Sequence, residues 1–278
     1  MTTTTTSFDR PQATARPELT RLLKHSGYLT MRSIRALIRQ PWYLAVTLVQ
    51  PMIWLLLFGQ LFRSVIHIPG FATTTGSYLE FITPGVIMMT VLFSSAWAGT
   101  VYIDDMNRGV MDRLLASRVS RGAMVVGTLA YQAITTVIQT LIVFAVAYAS
   151  GARFPGASSG VALTVLAAAL MSVIFAAMSN AVALLVRQQE ALIGISQFIS
   201  LPLSFLCSAF MAISLAPGWV QHVARYNPME WAVVISRQVL SAAPDWGAVL
   251  PRLGWLSVLA VISAWLATRA FRSYQRSV

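Results

Sequence analysis

Few side chains in this sequence could carry out covalent chemistry. The only lysine is Lys24, and the five residues before it, LTRLL, contain no glycine, so the phosphate-binding pattern G-x-x-x-x-G-K-[ST] is absent. The three histidines are far apart in the sequence and Cys207 is the single cysteine, so neither a metal site nor a disulfide framework is expected. We therefore expect this chain to have no catalytic residues, to bind no metal or cofactor, and to lack an ATP-binding site of its own.

The composition is typical of an integral membrane protein. Of the 278 residues, 56% are hydrophobic and 10% are charged, and the mean hydropathy is +0.67. A soluble domain carries about a quarter charged residues. The apolar stretches are about 20 residues long and do not alternate in polarity, which predicts membrane-crossing α-helices rather than a barrel. The predicted fold class is therefore an all-α integral membrane protein.

Six apolar stretches are long enough to predict transmembrane helices: 42–62, 79–103, 123–149, 161–186, 191–213 and 252–270. If both termini lie on one side, that side holds fifteen of the twenty Lys and Arg residues. The excess of positive charge predicts cytoplasmic termini. The net charge of +11 then faces anionic lipid headgroups, and no nucleic acid partner is implied.

The regions outside the six spans also have distinct compositions. Residues 1–16, rich in Thr and Pro, are predicted to be a disordered polar tail, and 271–278 a cytoplasmic tail. Residues 17–40 carry apolar residues at helical spacing with interleaved cationic residues, which predicts an amphipathic helix in the cytoplasmic interface, although a solvated basic arm has a similar pattern. The six spans form one domain, 41–270.

A short apolar segment, NPMEWAVVISRQVL at 227–240, precedes the last span. It contains both Glu230 and Arg237 and is too short to cross a bilayer. A seventh crossing there would also place the C-terminal arginines outside. We therefore predict an outer re-entrant helix with Asn227, Pro228, Glu230 and Arg237 as its distinctive residues.

Seven charged residues are concentrated in DDMNRGVMDRLLASRVSRG, residues 104–122, between the second and third spans. As a helix over 104–121, this segment would place Val110, Met111, Leu114 and Leu115 on one face, which could dock in a groove of another protein. A short amphipathic helix resting on lipid headgroups would have the same composition. The residues alone leave both interpretations open.

The same stretch, extended to Gly127, resembles the signature of the ABC type-2 membrane permeases. The residues that match without a gap are Asp105, Gly109, Asp112, Leu114, Leu115, Val119, Ser120 and Arg121. The phrase GVMDRL is particularly similar to the daunorubicin-resistance type of drug-export permease. One departure is Arg118, where the family usually has a proline that would end the helix.

Three further patches resemble the family in the same order. RSIRALIRQPWYLAVTLVQPMIWLLLFGQLF, at 32–62, is similar to the start of the family's first span. YLEFITPGVIMM, at 78–89, is similar to the start of its second span. YNPMEWAVVISRQVL, at 226–240, is similar to the segment before its last span. The resemblance thus covers roughly residues 28–270.

The resemblance implies half of an ABC exporter in a bacterial inner (plasma) membrane. Two permease chains, here expected to form a homodimer, would work with two copies of a separate subunit that binds ATP and Mg. The loop between the second and third spans would be a cytoplasmic coupling helix seated in that ATPase. The residues that this implies for docking are Asp105, Gly109, Met111, Asp112, Arg113, Leu114 and Leu115.

The transported molecule is expected to be amphipathic and drug-like, or a lipid. A path for it is suggested by side chains of the second and fifth spans, which line the family's central cavity: Phe93, Trp97, Gln197, Phe198 and Phe205. Lipid-facing or packing roles would explain the same aromatic residues. The neutral polar residues within the spans are expected to form hydrogen bonds between helices.

Two alternatives of function stay open at this stage. Within the same family, the chain could export a polysaccharide or a lipid-linked sugar. Outside it, the chain could be an ion-coupled carrier or an accessory membrane subunit that uses no ATP. Ion coupling usually requires a charged residue inside the membrane, and the six predicted spans are nearly free of charge.

Overall fold

A computed structural model describes residues 15–39, 41–62, 77–111, 113 and 121–274. Within these ranges the regular elements are helices, without a β-strand. The predicted all-α class is confirmed. Residues 1–14 of the predicted N-terminal tail and residues 275–278 of the predicted C-terminal tail lie outside the described residues.

The first helix, α1 (Ala15–Arg39), is continuous and begins two residues before the predicted one. It packs against a later helix, where the Thr30 hydroxyl donates to the Gly127 carbonyl at 3.2 Å. Leu37 is buried, whereas Tyr28 and Ile38 are 77% and 71% exposed. The amphipathic pattern of this segment therefore corresponds to a helix that packs one face against the bundle and exposes the other.

The first apolar stretch forms a helix that changes type along its length. It begins as α2 (Pro41–Ile53), widens into a π-helix at Trp54–Phe58 and ends as α3 (Gly59–Leu61). Pro51 has no amide hydrogen to donate to the Thr47 carbonyl, which interrupts the regular α-helical pattern just before the wide turn. The apolar part, Ala45–Leu61, is shorter than the four long apolar helices of the chain.

Four helices are long and apolar enough to cross a membrane, at Tyr78–Asn107, Gly122–Ala149, Ser158–Val186 and Trp246–Phe271. They match the second, third, fourth and sixth predicted spans. The elements that contain them are α4 (Tyr78–Ala96), α5 (Thr100–Asn107), α6 (Arg121–Ala149), α7 (Ala157–Val186) and α11 (Trp246–Tyr274). The chain is thus a multi-pass membrane protein.

The remaining helices are shorter. The fifth predicted span forms α8 (Gln189–Phe205), which ends eight residues before the expected boundary at 213. A 3₁₀ turn at Ile213–Leu215 then leads to α9 (Gly218–Ala224) and α10 (Pro228–Leu240). The 13 residues of α10 span about 20 Å, too short for a crossing, as predicted.

Helix α7 lies at the centre of the bundle, where it contacts α4, α6, α10 and α11. Small residues allow these close approaches. A Cβ on Gly99 would lie 2.5 Å from the Ser179 carbonyl oxygen of α7, and one on Gly85 of α4 would overlap the backbone of Ala209. Because glycine lacks that atom, the turn between α4 and α5 can lie directly against α7, and α4 directly against the backbone at Ala209.

Candidate functional site

The charged segment after the second span is not one continuous helix. Helix α5 ends at Asn107, and the Arg108 amide donates to the Asp104 carbonyl at 3.0 Å. Gly109 follows with φ +65°, a left-handed conformation that glycine adopts without strain. A Cβ at this position would meet nothing within 4 Å, so the backbone angle and not crowding favours glycine here.

Asp105, a predicted docking residue, is bound within its own chain. Its Oδ2 lies 2.8 Å from Nη2 of Arg32 on α1. The Asp105 side chain is 17% exposed and that of Arg32 is 46% exposed, so the pair contributes little to stability. The pair joins the end of α5 to α1.

Met111, another predicted docking residue, is 0% exposed and therefore does not lie on a free surface. It packs in a cluster of buried residues that includes Ile103, Leu192 and Phe271. Arg113, two residues further on, is exposed. Asp112, Leu114 and Leu115 lie outside the described residues. Met111 thus packs the segment against the bundle, whereas the Arg113 side chain is exposed.

Neutral polar side chains connect α2, α4 and α6 through a polar ladder, which we define as Thr47, Ser94, Gln132 and Gln139. Gln132 Nε2 donates to Ser94 Oγ at 3.3 Å, and Ser94 Oγ donates to Gln139 Oε1 at 3.1 Å. Gln139 Nε2 donates in turn to Thr47 Oγ1 at 3.4 Å. Asn180 makes a similar bond from α7 to α6. The expected hydrogen bonds between helices are confirmed for Gln132, Gln139 and Asn180.

A cavity of about 230 Å³ lies between α2 with its π-helix and α4. Phe93 and Trp97 both line it, as their shared helix face predicts, and Trp54 lines it from the π-helix. The polar ladder reaches the cavity through Thr47 and Ser94. This α2–α4 cavity therefore has aromatic surfaces and a hydrogen-bonding wall.

The predicted path residues of the fifth span lie elsewhere. Phe198 and Phe205 are 82% and 69% exposed on α8, and neither lines the α2–α4 cavity. Gln197 beside them is half-buried, and its Oε1 has no hydrogen-bond donor among the described residues. Within one chain, the aromatic pair of α4 and that of α8 do not form a common site.

The predicted outer helix, α10, begins with a cap. Asn227 Oδ1 accepts a hydrogen bond from the Met229 amide at 2.9 Å, and Pro228 occupies the first turn, where a proline is tolerated. Asn227 Nδ2 also donates to the carbonyls of Leu203 and Leu206, at 2.8 and 2.9 Å. These two carbonyls lie at the C-terminus of α8, so a side chain from α10 completes the end of that helix.

The two charged residues of α10 bind the segment that follows α8. The Ser208 amide donates to Glu230 Oε2 at 2.6 Å, while Arg237 donates to Ser208 Oγ at 3.1 Å and to the Ser208 carbonyl at 2.9 Å. The Arg237 guanidinium also lies 3.9 Å from the ring centroid of Phe81 on α4. Ser208 is thus held by a carboxylate and a guanidinium. Nothing in its local sequence indicates this role.

One sequence pattern has a packing explanation. The residues GASSG at 156–160 match the G-x-S-x-G spacing of hydrolase nucleophiles. That motif requires a strand before the serine, whereas Ser158 lies in the first turn of α7, and residues 152–154 before it form no regular element. A Cβ on Gly156 or Gly160 would overlap the Val239 carbonyl of α10. The glycines therefore permit helix contact.

The four long apolar helices define the class of the chain, that of multi-pass membrane proteins. The family of ABC-2 type transporters matches residues 26–241. The chain belongs to this family, and the resemblance inferred from its sequence is confirmed.

Similar proteins agree with this assignment. The chain is 26% identical over 242 residues to a daunorubicin resistance ABC transporter permease protein of Streptomyces coeruleorubidus, covering 87% of this chain and 84% of that protein. It is 26% identical over 209 residues to a putative transport permease of Porphyra purpurea, covering 75% and 70%. A probable doxorubicin resistance ABC transporter permease protein of Mycobacterium tuberculosis is 20% identical over 219 residues, 79% of each chain.

Proposed function

We propose that this chain is the membrane-spanning subunit of an exporter that is driven by a separate ATP-binding subunit. It moves an amphipathic, drug-like molecule or a lipid outward across a bacterial inner membrane. The family assignment supports this function, as do the names of two relatives, which are resistance permeases of ABC transporters. ATP and Mg would be bound by the partner, since the sequence of this chain has no phosphate-binding loop.

The proposed topology has six crossings with both termini in the cytoplasm. The 21 residues from Pro41 to Leu61 are helical and extend about 31 Å, enough to cross the hydrocarbon core. Helix α8 extends about 25 Å, and the irregular residues after it continue the crossing. The side chains of α10 satisfy backbone groups there, which makes irregular backbone tolerable inside a membrane. In this topology α1 lies in the cytoplasmic interface and α10 on the outer side.

The anchoring of the charged segment is the observation that carries the proposal. Between α5 and α6 the chain is fixed by the Asp105–Arg32 ion pair and by the buried Met111, while Arg113 stays exposed. A segment held in this way transmits a displacement to α1 and to the bundle instead of absorbing it. Asp105, Gly109 and Met111 shape and hold the segment. Arg113 would contact the ATPase together with Asp112, Leu114 and Leu115.

Photocrosslinking tests the proposed docking. A photoreactive amino acid in place of Arg113, in the tagged chain expressed in its own cells, should crosslink to a subunit that contains a Walker A sequence. The matched control is Arg225, an exposed arginine just before α10, which should give no such product. Crosslinking from both positions, or only to lipid from Arg113, would refute the assignment of this segment.

Two chains are proposed to form a homodimer around the substrate path. Phe198 and Phe205 lie seven residues apart, two turns along one face of α8, and are too exposed to contribute to the packing of their own chain. In a dimer, this face and the aromatic pair of α4 would line the path. A phenylalanine face of this kind would bind flat apolar molecules by burial, at about 25 cal/mol per Å² removed from water.

A further inference from the structure

An open groove of about 570 Å³ runs along the exposed side of α1. The described residues that line it are Tyr28, Met31, Arg32, Arg35, Ala36 and Arg39. The opposite side of the same helix, which carries Thr30 and Leu37, is buried. This α1 groove therefore lies on the face of the helix that does not pack against the bundle.

Three arginines form a cationic edge of the α1 groove. Arg32, Arg35 and Arg39 are spaced by three and four residues, which places them on one helix face with about 5–6 Å between neighbouring Cβ atoms. Arg32 uses only Nη2 for its bond to Asp105, and its other N–H groups have no acceptor among the described residues. Arg35 and Arg39 form no ion pair within the described part of the chain. Because like charges this close repel one another, an anion that binds between them is favoured.

An apolar edge runs beside the arginines. Met31 and Ile38 lie seven residues apart, two turns along one side of α1, and both are exposed. Trp42, just beyond the end of α1, is exposed as well. A partner that supplied only negative charge would leave these side chains in water, whereas an amphipathic partner would cover them. Guanidinium groups beside an exposed apolar edge suit the headgroup and the adjoining acyl carbons of a phospholipid.

The charge of the groove favours an anionic phospholipid over a zwitterionic one. Every phospholipid carries a phosphate, but phosphatidylcholine and phosphatidylethanolamine carry a cation as well. That cation would lie close to three arginines and would meet no carboxylate among the described residues that line the groove. Phosphatidylglycerol has the same phosphate without the cation, so the attraction to the arginines is not opposed.

We propose that one anionic phospholipid of the cytoplasmic leaflet binds in the α1 groove, with its phosphate between Arg35 and Arg39 and its acyl chains against Met31 and Ile38. This inference rests on the proposed topology, in which α1 lies in the cytoplasmic interface. It adds to the export function a lipid partner of defined charge, at a site separate from the proposed substrate path.

Arg32 links this site to the charged segment. The Asp105 carboxylate and the lipid phosphate are two anions that share one guanidinium. By thermodynamic linkage, removal of one anion strengthens the binding of the other. The affinity for the lipid therefore depends on Asp105, which belongs to α5 and not to the groove.

Native mass spectrometry of the purified full chain in a neutral detergent tests the site. The chain is titrated with phosphatidylglycerol or with phosphatidylcholine of the same acyl chains, and the dissociation constant of the first bound lipid is measured. Phosphatidylglycerol should bind more tightly. Arg35→Gln with Arg39→Gln should weaken its binding about 30-fold, since each arginine near an anionic headgroup contributes about fivefold. The matched control, Arg153→Gln with Arg225→Gln, removes the same charge from two exposed arginines elsewhere and should leave the constant unchanged.

Two further variants test the linkage. Asp105→Asn should tighten the binding of phosphatidylglycerol about fivefold, because it releases Arg32. In an Arg32→Gln background, the same substitution should have no effect, because the shared guanidinium is gone. An equal gain in both backgrounds would show a general effect of net charge and would overturn the linkage.

Four other results would overturn the inference. Equal affinity for phosphatidylcholine would contradict the selection by charge, and equal affinity for sn-glycerol 3-phosphate, which has no acyl chain, would remove the role of the apolar edge. An unchanged constant in Arg35→Gln with Arg39→Gln would place the lipid elsewhere. A photoreactive amino acid in place of Ala36 should crosslink to phospholipid in cells, and a crosslink to a protein instead would assign the groove to another subunit. The titrations use the permease alone, so their failure would leave the crosslink from Arg113 intact, and loss of that crosslink would leave the lipid result intact.

Discussion

Replacing Arg237 with methionine should open the backbone around Ser208. The guanidinium donates to Ser208 Oγ at 3.1 Å and to the Ser208 carbonyl at 2.9 Å. Methionine keeps the length of the side chain but makes neither bond. A hydrogen bond from a charged group contributes about 1.5–3 kcal/mol. Because some water will replace the lost partners, we expect a total loss of about 3 kcal/mol for the pair.

The single cysteine reports this opening directly. Cys207 precedes Ser208 and is 9% exposed, so its thiol reacts only when the segment opens locally. Each 1.4 kcal/mol changes an equilibrium tenfold, so the alkylation rate of Cys207 in Arg237→Met should rise on the order of 100-fold. The rate is measured with a maleimide on the folded protein in detergent or nanodiscs. Arg225→Met, an exposed arginine nearby, is the control and should leave the rate unchanged.

A double variant isolates the role of charge. In Arg237→Met, the buried Glu230 carboxylate has lost the nearby cation and keeps only the Ser208 amide, at 2.6 Å. Glu230→Gln added to Arg237→Met removes this unbalanced charge, so the double variant should react more slowly than Arg237→Met alone. If Arg237→Met changes the rate less than about threefold, or if the two substitutions simply add, the two residues do not act through Ser208 as described.

Three further predictions follow from the proposed topology and coupling. The double variant Asp105→Ala, Gly109→Leu removes the ion pair with α1 and places a leucine in a left-handed conformation, which costs about 1–2 kcal/mol. The complex should still hydrolyse ATP, but export should be abolished. Normal export at normal expression would refute the coupling role. In a Cys207→Ala background, a cysteine at position 245 should be labelled by an impermeant maleimide from outside intact cells and one at position 275 should not. Phe198→Ala should lower the ratio of substrate-stimulated to unstimulated ATP hydrolysis; an unchanged ratio would make it a lipid-facing residue, since its 82% exposure leaves little packing to lose.

The sequence predicted the long helices well because hydrophobic length alone determines them. The apolar stretches at 123–149 and 161–186 correspond closely to α6 and α7. The expectation that the helix of the fifth span continues to 213 was wrong, since α8 ends at Phe205 although the residues after it are equally apolar. The cause lies in another helix, where Asn227 and Glu230 satisfy the backbone groups that a continued helix would have paired. The sequence around residue 205 does not indicate that side chains from another part of the chain will bind these backbone groups.

In the charged segment too, the sequence could not predict the contacts that form between distant parts of the chain. The spacing predicted an apolar face that includes Met111, but it could not tell whether Met111 meets a partner or the chain's own bundle. In the structure, Met111 contacts the bundle. Asp105 was expected at a docking surface, yet it pairs with Arg32, 73 residues away in sequence. No periodicity within 104–121 could reveal a partner on α1.

The polar ladder of Thr47, Ser94, Gln132 and Gln139 has a consequence for the energy source of transport. Hydroxyl and amide groups do not gain or lose protons between pH 5 and 9. The hydrogen bonds of the polar ladder, which run from α2 to α6, are therefore unchanged across this range. A proton gradient across the membrane therefore does not change these contacts by protonating them. If the proposed ATP-driven export holds, movement of α2, α4 and α6 relative to one another would have to start from the segment that contacts the ATP-binding subunit, outside the polar ladder.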